Sequence, residues 1–184
     1  MKKKLQQINK NLLGLWKFDK LAIEDMKKLT TQSKQTNLET GGLLCLDQTK
    51  KVILKNRCSG NKCEVTVKGS CDSLNKRLGI FHSHPKSSNF NLSFNDIVNY
   101  ETNDDDLGCL GLGKKNSVIC FKYPEHTHKE FFKRQKSKLE MYNSMNDAVT
   151  SNKKSDLEKV RKKVKLYQNE FFIKFNPEDY VSEE

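Results

Sequence analysis

The chain has 184 residues, a mass of 21.3 kDa and a formal charge of +11, with 35% hydrophobic and 31% charged residues. That length allows one domain with an appendage, and an aromatic share of 9% with recurring apolar runs excludes wholesale disorder. No apolar run approaches the ~18–20 residues of a membrane span, and the basic start leads into Asn11, Lys17 and Lys20 rather than a signal-peptide core, so a soluble, cytoplasmic protein is expected.

Residues 12–18 form a short apolar run that predicts a first strand. Over 19–34 the apolar residues Leu21, Ile23, Met26 and Leu29 approach helical spacing. Residues 37–46 return to strand character, interrupted by Gly41 and Gly42. Residues 51–55 and 64–68 read as two further strands, joined through the polar turn 58–63. Residues 77–84 predict a strand stopped by Pro85, followed by a polar loop at 86–92 and a helix from Ser93 to about Tyr100. Two apolar strands, 107–112 and 117–123, flank a turn at 113–116. From His128 onward the pattern is helical, with Ser155 and Glu158 spaced as a capping box. Behind that box Leu157, Val160, Val164, Tyr167 and Phe171 make one stripe. The alternation predicts a mixed α/β fold with an α-helical C-terminal extension. The domain reading is 1–128 for the α/β part and 129–184 for a basic helical extension.

Positive charge is concentrated in that extension: residues 129–165 carry twelve Lys and Arg against five acids. Such a cluster suits nucleic acid, an acidic protein or an anionic surface, and equally a solvated helix face. No base-reading signature accompanies it. Six cysteines without a secretion signal do not read as a disulfide framework. Cys45, Cys109 and Cys120 sit in apolar strands and read as small buried hydrophobes. Cys58, Cys63 and Cys71 lie in a polar stretch whose spacing is not a standard zinc pattern. A second structural zinc, a reversible disulfide and ordinary thiols are all open for them, with ordinary thiols favoured.

The chemistry-bearing segment is His82-Ser83-His84 followed by Asp96. Residues i and i+2 of a strand share a face, so both imidazoles project together. Asp96 falls in the first turn of the next helix, where a carboxylate suits the helix N-terminus. Two His and one carboxylate leave a tetrahedral zinc one open position, as catalytic sites require. Glu39, beside Gly41 and Gly42, is the candidate base. Each piece has an ordinary alternative: strand histidines, a Ser93–Asp96 helix cap, an edge carboxylate at Glu39. Capping and metal ligation are compatible in the Ser93–Asp96 quartet.

Glu39, His82-Ser83-His84-Pro85, Ser93 and Asp96 together resemble the JAMM (MPN-plus) zinc metalloprotease signature, and their context is similar to prokaryotic and archaeal members. The resemblance covers about residues 12–125. It implies a curved, mostly antiparallel mixed sheet flanked by helices, as in the zinc deaminases. It implies one catalytic Zn2+ on His82, His84 and Asp96, Glu39 as general acid/base and Ser93 as oxyanion donor. The implied activity is hydrolysis of a peptide or isopeptide bond, with a ubiquitin-like modifier or a modified protein as substrate. Eight residues separate His84 from Ser93, one more than the family's usual form, and Leu92 stands where Pro is common. His126 and His128 match no signature position and read as surface residues. The Pro-Cys-x-x-Cys segment of a deaminase is missing from the sequence. The competing class is a non-catalytic MPN-type scaffold that recruits nucleic acid or a protein through the basic tail.

Overall fold

Asp19 opens the first helix: its carboxylate accepts the Leu21 N–H at 2.7 Å and so satisfies one of the helix's orphan donors. The helix, α1, spans Lys20–Thr36 and ends where Asn37 turns left-handed at φ 57°. The computed structural model describes residues 14, 16–60, 70–86, 91–103, 105–122 and 128–182. Before α1 stands β1 (Lys17–Phe18), and after it come β2 (Thr40–Leu46), β3 (Lys51–Ser59) and β4 (Lys76–His84). Then follow α2 (Phe94–Thr102), β5 (Leu107–Leu112), β6 (Ser117–Lys122), α3 (His128–Ser151), α4 (Lys154–Phe171) and β7 (Ile173–Phe175). A single 3-10 turn, Pro177–Tyr180, follows β7.

The strands form one mixed sheet in the order β1-β3-β2-β4-β5-β6-β7. β2 runs antiparallel to both β3 and β4, while β1 is parallel to β3 and β4 to β5. The class is mixed α/β, as the alternation of elements predicts. All seven residues of β2 are buried, which explains its continuous apolar run after Gly41 and Gly42. α1 lies against β2, β3, β4 and β5, burying Ala22, Ile23, Met26 and Leu29. Phe18, Leu43, Leu44, Leu78, Phe81 and Leu107 complete that core with no exposure.

The described residues fall into two compact units. One takes those of Met1–Phe90, Asp105–Phe121 and Lys174–Glu184; the other takes those of Asn91–Asp104 and Lys122–Ile173. Within the second, α3 and α4 pack along Met141 and Ala148 on one helix and Val160, Val164, Tyr167 and Phe171 on the other. A Lys133–Glu170 ion pair links the two.

Several expectations change. The helical pattern from His128 ends at Phe171, and residues 173–175 return to the sheet as β7. The reason is aromatic packing: Phe175 lies 6.3 Å from Phe18 and 5.2 Å from Tyr180, ring centre to ring centre. Ser155 does not cap α4, because the helix begins one residue earlier behind Lys153, which makes no side-chain cap. Leu157 leaves the apolar stripe, at 40% exposed, and Gln168 takes a fully buried place in it. The strand expected over 12–18 is seen at Lys17–Phe18, and the one at 64–68 lies outside the described residues.

The cysteines also differ from the thiols expected. Cys45 is bonded to Cys71, and Cys109 to Cys120. Cys109 and Cys120 sit on neighbouring strands, and Cys71 comes back beside the strand that carries Cys45. That proximity is set by strand order, which apolar spacing does not reveal. Among the described residues no helix is long and apolar enough to cross a membrane.

Candidate metal centre

β4 carries both histidines at its end, and parallel pairing with β5 holds them in register: His82 opposite Leu110, His84 opposite Leu112. The alternation expected from sequence is met. The two Nε2 atoms face each other at 3.1 Å, with ring centres 4.9 Å apart. Ser83, between them, points to the other face. There its Oγ accepts the Thr40 N–H at 2.8 Å and contacts the Thr40 hydroxyl at 2.9 Å. Thr40 in turn donates to the Leu29 carbonyl of α1 at 2.9 Å. Thr40 and Ser83 are both fully buried.

Gly41 pairs with His82 in the β2–β4 register. Thr40 meets Ser83 on the face away from the histidines, and Glu39 stands one residue before β2. Glu39 is only 8% exposed, and its backbone carbonyl accepts the Gly60 N–H. Gly41 places no side chain opposite His82. At Gly42 a Cβ would come within 2.9 Å of Leu54 and 3.0 Å of the Lys55 carbonyl, so the close backbone approach expected of the glycine pair is present. At the far end of β5, Gly113 N–H donates to the His84 carbonyl, and a Cβ there would stand 2.1 Å from the Pro85 carbonyl oxygen. Only glycine lets that turn abut the strand end.

α2 delivers Asp96 and Ser93. Ser93 is the N-cap: its Oγ accepts the Asp96 N–H at 3.1 Å, and the Asp96 carboxylate accepts the Ser93 N–H at 2.6 Å. The quartet is therefore a full capping box. One oxygen of Asp96 is engaged in it, and a second oxygen belongs to the same carboxylate. Two nitrogens ~2.0–2.1 Å from a tetrahedral zinc stand roughly 3.3 Å apart, close to the separation of the imidazole pair. A group of two nitrogens and one carboxylate oxygen can hold a metal ion, and its chemistry suits zinc.

Of the three cysteines considered for a second zinc, Cys71 is disulfide-bonded, Cys63 lies outside the described residues, and Cys58 is half-buried. Burial pushes the Cys58 thiol up from its ordinary pKa, against the Gly41 N–H that lowers it. His126 lies outside the described residues, and His128 is the first residue of α3. Two residues that matter here escaped the sequence reading. Ser83 was legible as the position facing away between two histidines, and Gln168 as a polar residue at stripe spacing four after Val164.

No family model and no curated protein matches the sequence. Among solved structures the chain is similar to a JAB1/MPN domain protein from Archaeoglobus fulgidus. The identity is 16% and the TM-score 0.41, over 58% of this chain and 88% of that one.

Proposed function

We propose that this chain is a zinc-dependent peptidase that hydrolyses a peptide or isopeptide bond, with His82, His84 and Asp96 as ligands, Glu39 as general acid/base and Ser93 as oxyanion donor. The observation that carries the reading is the imidazole pair of His82 and His84, whose Nε2 atoms face each other at 3.1 Å, with Glu39 buried directly ahead of β2. Zinc held there would polarise the scissile carbonyl and bring a water's pKa toward ~7. Glu39 takes the proton of the attacking water and hands it to the leaving amine nitrogen as the C–N bond breaks. The carbonyl carbon gains the hydroxyl, so water is split across the bond and nothing else is consumed. Ser93 Oγ accepts the Asp96 N–H through one lone pair, and its O–H donates to the oxygen that gains charge. The family resemblance supplies the substrate class: the extended tail of a ubiquitin-like modifier joined to lysine, laid along a sheet edge as an added strand.

The test is zinc content by elemental analysis together with cleavage of an isopeptide-linked fluorogenic substrate. Wild type is expected to bind one zinc and His84→Ala none. Glu39→Gln is expected to keep zinc while turnover falls about 100-fold or more. Full turnover in Glu39→Gln removes Glu39 as the base, and wild type that takes up no zinc ends the enzyme reading. A second reading, a non-catalytic scaffold, is favoured by one observation: Lys154, Lys162, Lys163 and Lys165 all stand exposed on α4.

A further inference from the structure

α2 is nine residues long, well short of the ~12–15 at which an isolated helix becomes even marginally stable. Yet both Ser93 and Asp96 are presented from its first turn, so something else must hold it. Within its unit α2 is fixed along its whole length by α3 and α4. Phe94 meets Tyr142 edge to face with ring centres 5.3 Å apart, and Tyr100 meets Phe172 at 5.1 Å. Glu101 accepts the Tyr167 hydroxyl at 2.6 Å and receives Lys138 of α3 at 3.4 Å. At the other end the Leu92 N–H donates to Gln168 Oε1 at 2.8 Å, a buried bond.

We propose that the α3–α4 pair is the mount of the helix bearing Ser93 and Asp96, and that Gln168 is its positioning residue; this rests on the reading of Asp96 as a metal ligand. The physical argument starts from the oddity of Gln168. A fully buried amide sits in the stripe of Val160, Val164, Tyr167 and Phe171, where an aliphatic side chain would cost no desolvation. What it supplies is an acceptor for the backbone N–H of the residue directly before the N-cap. Leu92 is itself 8% exposed, so its N–H needs a partner from the protein. Pinning Leu92 pins Ser93, and through the reciprocal capping bonds it fixes where the Asp96 carboxylate stands. Outer partners of this kind orient ligands, and their loss typically weakens metal binding by ~10–100-fold.

The experiment uses full-length protein with Gln168→Met, which keeps volume and removes the acceptor, and Gln168→Glu, which keeps an acceptor oxygen. Zinc affinity is read by chelator competition, and amide hydrogen exchange is read at residues 92–97. Gln168→Met is expected to weaken zinc about 10-fold and to expose the Leu92 and Asp96 amides. Amides of β4 and of the middle of α4 should keep their protection, and Gln168→Glu should recover most of the zinc affinity. Wild-type affinity and exchange in Gln168→Met overturn the proposal. So does an equal loss of protection along all of α4, which would make Gln168 a stitch in the helix pair only. If wild type takes up no zinc while Gln168→Met still frees residues 92–97, the mount stands and the ligand role of Asp96 falls.

Discussion

Ser83 points away from His82 and His84, and its Oγ is the acceptor for the Thr40 N–H, one residue after Glu39. Replacing it by Ala leaves a buried N–H with no partner, a loss of ~1–3 kcal/mol. Urea denaturation of Ser83→Ala should show that drop. The double variant with Thr40→Val should lose less than the two single losses added, because the two hydroxyls share one contact at 2.9 Å. Strict additivity would mean that they act independently. The candidate ligands were legible residue by residue, since strand periodicity puts His82 and His84 on one face and the Ser93–Asp96 spacing marks a helix start. Gln168 was marked only by its spacing of four after Val164, because its burial and its bond to the Leu92 N–H come from tertiary packing.

The elements followed local signals wherever those were strong. Asp19 caps α1, Asn37 ends it, and the run 107–112 is β5 to the residue. They departed where two signals competed. Ser155 and Glu158 had the spacing of a capping box, but α4 starts at Lys154, and Ser151 instead bonds Asp156 at 2.7 Å. The Lys159 ammonium that bonds it, and next the Ser151 hydroxyl, hold the Asp156 carboxyl below its ordinary pKa. The Cys45–Cys71 bond belongs to this scale too, as it ties β2 to the segment leading into β4 across a separation of 26 residues. Closing a loop of that length is worth about 3–4 kcal/mol in the chain-entropy account. Cys71→Ser should therefore lower unfolding stability by ~3 kcal/mol relative to the oxidised protein and match it after full reduction of that bond. Equal stability of oxidised wild type and Cys71→Ser would show that the bond adds nothing to the fold.

Across the whole molecule the charge of +11 meets a surface in which several cations are already paired. Lys159 bonds Asp156 at 2.8 Å, Arg161 pairs with Glu158, and Lys138 reaches Glu101. If the exposed lysines of α4 bind nucleic acid, log Kd should change linearly with log salt, with a slope near the number of phosphates neutralised. Combined Lys154→Glu, Lys162→Glu and Lys165→Glu should flatten that slope by about three (~0.9 per phosphate contact). No binding to duplex or single-stranded DNA or RNA at low salt removes the nucleic-acid reading and leaves a protein partner or a solvated face for those lysines.

The sequence by itself determined the class of the fold, most element positions and which residues are candidate metal donors, because periodicity and capping are local and act within a few residues. The tertiary structure decided what depends on contacts distant in sequence. It paired Cys45 with Cys71 and Cys109 with Cys120, and it turned residues 173–175 back into the sheet against Phe18. It also packed α2 against the C-terminal helices within one unit. Strand order and buried hydrogen bonds cause those outcomes, and neither leaves a trace in the spacing of residues along the chain.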